Sequence, residues 1–191
     1  LLSRPTVSEV IDYRLWVDER IEALISGEGE DSNVIPIIEL GLQHEQQHQE
    51  LILTDIKHVL SCNPLNPIYQ PNASVRNGGR AQAAGRKSIS EGTYWIGWSG
   101  DGFSFDNESP RHRGFLDNFD LQVRPVTNGE YLQFIKSGGY RRSDLWLSMG
   151  WQQVNNCRWT APLYWTERDG EWSQFTLTGV RPVDPAEPVC H

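Results

Sequence analysis

Apolar residues Val7, Val10, Ile11, Leu15, Val17, Ile21, Leu24 and Ile25 recur every three or four positions near the start of the chain. That period places them on one face of an α-helix. Thr6 and Glu9, following Pro5, form a capping-box pattern that opens the helix, and Gly27 closes it, so the spacing predicts a helix over 6–25. After a polar turn at 28–33, residues 34–60 are rich in Leu, Ile, Gln and Glu, and their only breakers are Pro36 and Gly41 near the beginning. A second, longer helix is expected there. It ends at Asn63-Pro64, because proline lacks the backbone donor and restricts the residue before it. Two helices joined by a short turn imply an antiparallel pair within a helical bundle.

Beyond the helices the pattern loses its period. Residues 63–90 hold Pro64, Pro67, Pro71, Gly78-Gly79 and a basic run over 80–87, which reads as a solvated linker between domains. From residue 91 the apolar positions come in short runs between Gly, Asp and Asn turns. The runs at 93–98, 115–123 and 175–180 are expected as strands. One helix is clearly signalled, by the capping box Thr127 to Glu130, leading into 131–136 and closed by Gly138-Gly139. The expected fold is therefore α+β with two domains: a helical part over 1–62, a linker over 63–90 and an irregular α+β part over 91–191.

Composition sharpens this division. Seven of the eight tryptophans fall in the second part, at 95, 98, 146, 151, 159, 165 and 172, where large aromatics supply core to a domain with few regular elements. The net charge of −8 is spread evenly over both halves, which argues against a nucleic-acid partner held through phosphates. No apolar run has the length of a membrane span and no signal segment is visible, so no membrane partner is expected. Cys62, Cys157 and Cys190 are odd in number and far apart, which points to a reducing, cytoplasmic setting. The chain opens on Leu1 and ends on Pro188-Val189-Cys190-His191, and it reads as a piece of a longer protein.

The chemistry is concentrated in His44-Glu45-Gln46-Gln47-His48-Gln49-Glu50. At about 100° and 1.5 Å per residue, His44 and His48 lie roughly 40° apart around the helix and one turn apart along it, so both imidazoles can reach one cation. Gln47 borders the same face, about 60° from His44, and can offer its amide to a molecule bound at the metal. Glu50 sits about 160° from His48, too far round to ligate the same ion, and a role beside the ligands suits it better. His58 projects on nearly the same face but about 21 Å along the axis. Both His58 and His112 are expected outside the site.

The same letters spell H-E-x-x-H, the pattern of zinc proteases that use the Glu as base. The rest of that machinery is missing. Leu51 and Thr54 stand where one protease class needs Gly and His, and no Glu follows Glu50 until Glu91. The next carboxylate after Glu50, Asp55, is about 10 Å along the axis from His48.

Taken together, these segments resemble a known family. His44-x3-His48-x-Glu50 on a bundle helix resembles the metal motif of DinB-like domains. The stretches Glu91-Gly92-Thr93-Tyr94-Trp95-Ile96-Gly97, Phe105-Asp106-Asn107-Glu108-Ser109-Pro110-Arg111-His112 and Pro125-Val126-Thr127-Asn128-Gly129-Glu130-Tyr131 resemble the formylglycine-generating-enzyme, or sulfatase-modifying-factor, domain with its C-type-lectin-like scaffold. The order of the two parts is similar to that of the non-heme iron sulfoxide synthases of ergothioneine biosynthesis (EgtB-type). The resemblance implies an Fe(II) oxidoreductase that uses O2 to join the sulfur of γ-glutamylcysteine or cysteine to the imidazole C2 of hercynine.

On that resemblance His44 and His48 are two of three iron-binding histidines, Gln47 contacts the hercynine imidazole, and Glu50 supports the ligands from behind. The third histidine is expected upstream of Leu1. No catalytic residue is assigned, since the expected tyrosine lies beyond His191, and the 191 residues alone are expected to be inactive. Ovothiol- and selenoneine-type relatives share these motifs. A non-catalytic, metal-stabilised binding module is the reading from another class.

Overall fold

A computed structural model describes residues 4–26, 34–71 and 83–191. Among these residues the chain forms four α-helices and seven β-strands, a mixed architecture in agreement with the α+β expectation. By its contacts the chain divides into two units, one drawn from residues 1–49 and 97–111, the other from 50–96 and 112–191.

In the first unit, helix α1 (Val7–Ser26) starts where the pattern predicts. The Thr6 backbone N–H donates to Glu9 Oε2 at 2.7 Å, the Thr6 hydroxyl donates to the same oxygen at 2.8 Å, and Glu9 N–H returns a bond to Thr6 Oγ1. The Thr6 amide, followed by its hydroxyl, holds the Glu9 carboxyl below its ordinary pKa. Helix α2 (Val34–Ser61) also matches its expected span, and its first half belongs to this unit. Neither helix contributes a buried residue, and Val10, Leu24, Leu40 and Leu42 stand in solvent. The expected bundle is thus represented by its helices, without a packed core among the described residues. The 97–111 segment is folded on itself, with Trp98 N–H bonded to the Glu108 carbonyl at 2.9 Å and the Phe103 and Phe105 rings edge to face at 4.8 Å. No helix among the described residues is long and apolar enough to cross a membrane.

The second unit is built from three small antiparallel sheets. Strand β1 (Arg86–Ile89) pairs with β4 (Phe119–Gln122), β2 (Gly92–Ile96) pairs with β3 (His112–Leu116), and β5 (Trp165–Arg168), β6 (Glu171–Thr176) and β7 (Gly179–Pro182) form a meander. Helices α3 (Asn128–Lys136) and α4 (Ser148–Cys157) complete it. The segment after α2 is tied down as well, because the Tyr69 and Gln70 amides both donate to the Leu177 carbonyl at 3.0 Å.

Three expectations need correction. The run 115–123 is two strands, because the chain turns after Leu116 and sends β3 to β2 and β4 to β1; Asn118 Oδ1 at the turn accepts from the Glu91 amide at 2.8 Å. The run 175–180 is divided by a turn in which Thr176 Oγ1 bonds the Gly179 carbonyl and the Thr178 amide, while Gly179 adopts a φ of +105°. Helix α4 was hidden in sequence because its Gln and Asn residues leave little apolar period, with Val154 its single buried residue.

The core of this unit gathers Val154, Tyr164, Trp165 and Phe175, together with the polar pair Thr127 and Asn128. Tyr131, Phe134, Tyr140 and Trp146 contact one another around it, in tilted and edge-to-face arrangements. Residues 184–189 close over the start of α3: Asn128 N–H donates to the Glu187 carbonyl at 2.8 Å, Gly129 N–H to the Pro185 carbonyl at 3.0 Å, and Asn128 Nδ2 to the Asp184 carbonyl at 2.8 Å. Any side chain at Gly129 would place its Cβ 3.1 Å from the Pro185 carbonyl oxygen, so glycine permits this close approach.

Candidate metal-binding helix

Helix α2 carries all four residues singled out for iron and substrate. Its uninterrupted 28 residues keep i and i+4 positions in step, and the His44 and His48 rings lie with centroids 4.5 Å apart and planes at 70°. Both histidines are exposed, so their nitrogens are accessible to an ion. Imidazole nitrogens in this arrangement suit a first-row transition metal. Two imidazoles fit part of a ligand set, and no group of three His, Cys, Asp or Glu able to hold a metal occurs among the described residues.

Gln47 and Glu50 are exposed on the same helix. The structure therefore brings together the histidine pair, while Gln47 and Glu50 are located by their helical positions alone. The Glu50 carbonyl accepts from the Thr54 hydroxyl at 3.1 Å, a bond that belongs to the helix and not to a ligand site. Glu45 contributes an attractive charge that helps raise the Arg14 pKa, after the larger effects of the bond and charge of Asp18. His112 stands in β3 opposite Ile96, away from the expected ligands in sequence and element.

One polar cluster escaped sequence reasoning. At the end of α2, His58 Nδ1 lies 3.3 Å from the Tyr164 hydroxyl, and the Lys57 ammonium sits 4.2 Å from the centroid of the same ring. Lys57 Nζ also reaches His191 Nε2 at 3.0 Å, and the His191 ring packs edge-on against Tyr164 at 4.6 Å. Burial holds the pKa of Lys57 below its usual value. Burial, followed by the charge of Lys57, does the same for His191. His58 lies outside the histidine pair and is exposed, as expected, but its contact with Tyr164 was not foreseen. Its partner is 106 residues away in sequence, and no local pattern connects them.

The comparisons with known proteins identify a domain over most of the chain. Residues 72–189 match the sulfatase-modifying factor enzyme 1-like domain. The chain is 39% identical over 88 residues to the hercynine oxygenase of Mycobacterium tuberculosis (strain ATCC 25618 / H37Rv), covering 46% of this chain and 20% of that protein. It is 29% identical over 154 residues to the hercynine oxygenase of Mycolicibacterium smegmatis (strain ATCC 700084 / mc(2)155), covering 80% of this chain and 34% of that protein. It is also 29% identical over 82 residues to ergothioneine biosynthesis protein 1 of Schizosaccharomyces pombe (strain 972 / ATCC 24843), covering 43% of this chain and 8% of that protein. The chain spans about a third or less of the length of these curated relatives.

Proposed function

The chain belongs to the sulfatase-modifying factor enzyme 1-like domain family, and on that premise we propose that it is part of a non-heme Fe(II), O2-dependent sulfoxide synthase of ergothioneine biosynthesis. Its reaction joins the sulfur of γ-glutamylcysteine or cysteine to the imidazole C2 of hercynine. The observation that carries this reading is the reach of the similarity to hercynine oxygenases. A contiguous alignment over 80% of 191 residues leaves at most about 39 outside it, so it begins by about residue 40. It therefore spans the positions of His44 to Glu50 as well as at least 72–153 of the family domain, and a similarity confined to the second domain would not extend so far.

In this proposal His44 and His48 hold the iron. Both are uncharged imidazoles when they ligate, which leaves the ion able to accept an anionic sulfur. When bound, Fe(II) supplies the O2 chemistry that oxidises the sulfur and couples it to the imidazole. Gln47, next to His48 on the same helix, presents an amide that can donate to and accept from an imidazole ring, which orients the acceptor. Glu50 supports the ligand helix without touching the ion. We place the helical part at 1–62 and the second domain at 91–191, joined through 63–90, a stretch that ends in strand β1 and overlaps the start of the family match, and we assign the protein to the cytoplasm, where its three free cysteines remain thiols.

The test uses the full-length parent protein, loaded anaerobically with Fe(II) and then given O2, hercynine and either γ-glutamylcysteine or cysteine, with products read by mass spectrometry. A sulfoxide conjugate of hercynine supports the reading, and the preferred thiol identifies the donor. Conjugation to histidine in place of hercynine would move the assignment to an ovothiol-type enzyme. No conjugate with either acceptor from iron-loaded protein would overturn it.

A further inference from the structure

A second candidate site lies in the second unit, in a hollow of about 290 Å³ at the end of α3. This is near the lower limit of the roughly 300–1,000 Å³ typical of small-molecule pockets. Tyr140, Trp159 and Trp172 supply its aromatic lining, while Lys136, Arg141 and Glu167 supply charge.

Local structure holds the aromatic walls. The Tyr140 hydroxyl is 2.9 Å from that of Tyr131, and its ring is wedged against Phe134 and Trp146. Trp172 stands directly across the strand pair from Glu167 and packs against Trp165 at 5.9 Å. Trp159 follows the left-handed residue Arg158 that ends α4, and its amide donates to the Val154 carbonyl at 3.0 Å. That turn leaves the Trp159 indole 45% exposed in the hollow, although aromatic rings of this size are normally buried.

The charges are the more telling feature. Lys136 and Arg141 carry one sign and Glu167 the other, yet none of the three is engaged in an ion pair or side-chain hydrogen bond among the described residues. Other arginines of this unit are paired in bidentate fashion, Arg124 with Glu130 and Arg181 with Glu187. Opposite charges that line one hollow without meeting are complementary to a ligand whose own charges are separated.

We propose that this hollow binds a small zwitterion with a flat side chain, namely a free amino acid of aromatic or imidazole type. Its carboxylate faces Lys136 and Arg141, its ammonium faces Glu167, and its ring lies against Trp159 and Trp172. Indole faces favour flat rings and cations alike, and charge-assisted bonds at both ends select against molecules that carry only one charge.

The experiment titrates the full 191-residue chain with L-phenylalanine and L-histidine, and with 3-phenylpropionate and phenethylamine, which lack the amine and the carboxylate respectively. Binding is read by calorimetry and by the indole N–H signals of Trp159 and Trp172, assigned with W159F and W172F. L-Phenylalanine should bind about tenfold more tightly than either one-charge analogue, the worth of one charge-assisted bond. Glu167→Gln should erase its advantage over 3-phenylpropionate and leave the affinity for 3-phenylpropionate unchanged. Arg141→Gln should erase its advantage over phenethylamine. Glu167 and Arg141 are exposed, and unchanged near-ultraviolet dichroism verifies the fold of each variant. Absence of saturable binding, equal affinity for all three phenyl compounds, or discrimination that survives both substitutions would each overturn the proposal.

Discussion

Individual side chains in this protein differ in how much of their role is local. Glu45 follows His44 directly, but the proposed chemistry needs no carboxylate base there. Glu45→Gln in the full-length parent should therefore keep product formation within about twofold of wild type, as expected of an exposed substitution away from the reacting groups. Loss of all turnover with intact folding would contradict this and place Glu45 in the chemistry. Asn128 shows the opposite situation. It is 1% exposed, and its Nδ2 satisfies the Asp184 carbonyl while Oδ1 has no partner among the described residues. Asn128→Ala should cost roughly 1–3 kcal/mol in urea unfolding, because it leaves the Asp184 carbonyl without its donor. An unchanged midpoint would show that water replaces the amide without loss. The histidine pair was legible because both members lie on one helix at i and i+4, where geometry follows from spacing alone. The contact between His58 and Tyr164 was not legible, because it depends on how two distant segments meet.

Among the elements, α3 owes its start to a network that sequence spacing largely reveals. Thr127 Oγ1 accepts from the Glu130 amide at 3.3 Å, and Glu130 Oε2 accepts from the Thr127 amide at 2.9 Å. Thr127→Ala should cost about 1 kcal/mol, the usual worth of a helix N-cap, measured as a shift in denaturant midpoint. Sequence spacing did not reveal Arg124, which grips both Glu130 oxygens at 2.8 Å. The Arg124 guanidinium, followed by the Thr127 amide, lowers the Glu130 pKa to about 2. A carboxyl depressed in the folded state stabilises it fully above the unfolded value, here 4.5, and that contribution fades as pH falls from 4.5 towards 2. Glu130→Gln should flatten the loss of stability across this window, as read from thermal unfolding at several pH values. An identical acid profile in the variant would remove Glu130 from the account. The strands were less legible than the caps. Runs 115–123 and 175–180 look continuous in apolar pattern, and their division depends on turn bonds made by Asn118 and Thr176, which periodicity does not register.

At the scale of the whole molecule, the described residues have the mixed helix and strand content of the expected α+β fold, and the family match over 72–189 identifies a sulfatase-modifying factor enzyme 1-like domain. The resemblance to the ergothioneine-type synthases rested on motifs in both parts of the chain, and relatives named for hercynine oxygenation bear it out. Helices α1 and α2 were legible to within a residue or two because their caps and breakers are local. The tertiary packing of the helical part was not, since an amphipathic face states that it needs a partner without naming one. The central claim for this chain is that His44 and His48 hold the metal. Its most direct test is the iron content of the full-length parent after anaerobic loading with Fe(II) and removal of loosely bound metal. Wild type should retain about one iron per chain, and His44→Ala and His48→Ala should each retain almost none while keeping their helical dichroism. Normal iron content in either folded variant would contradict the assignment.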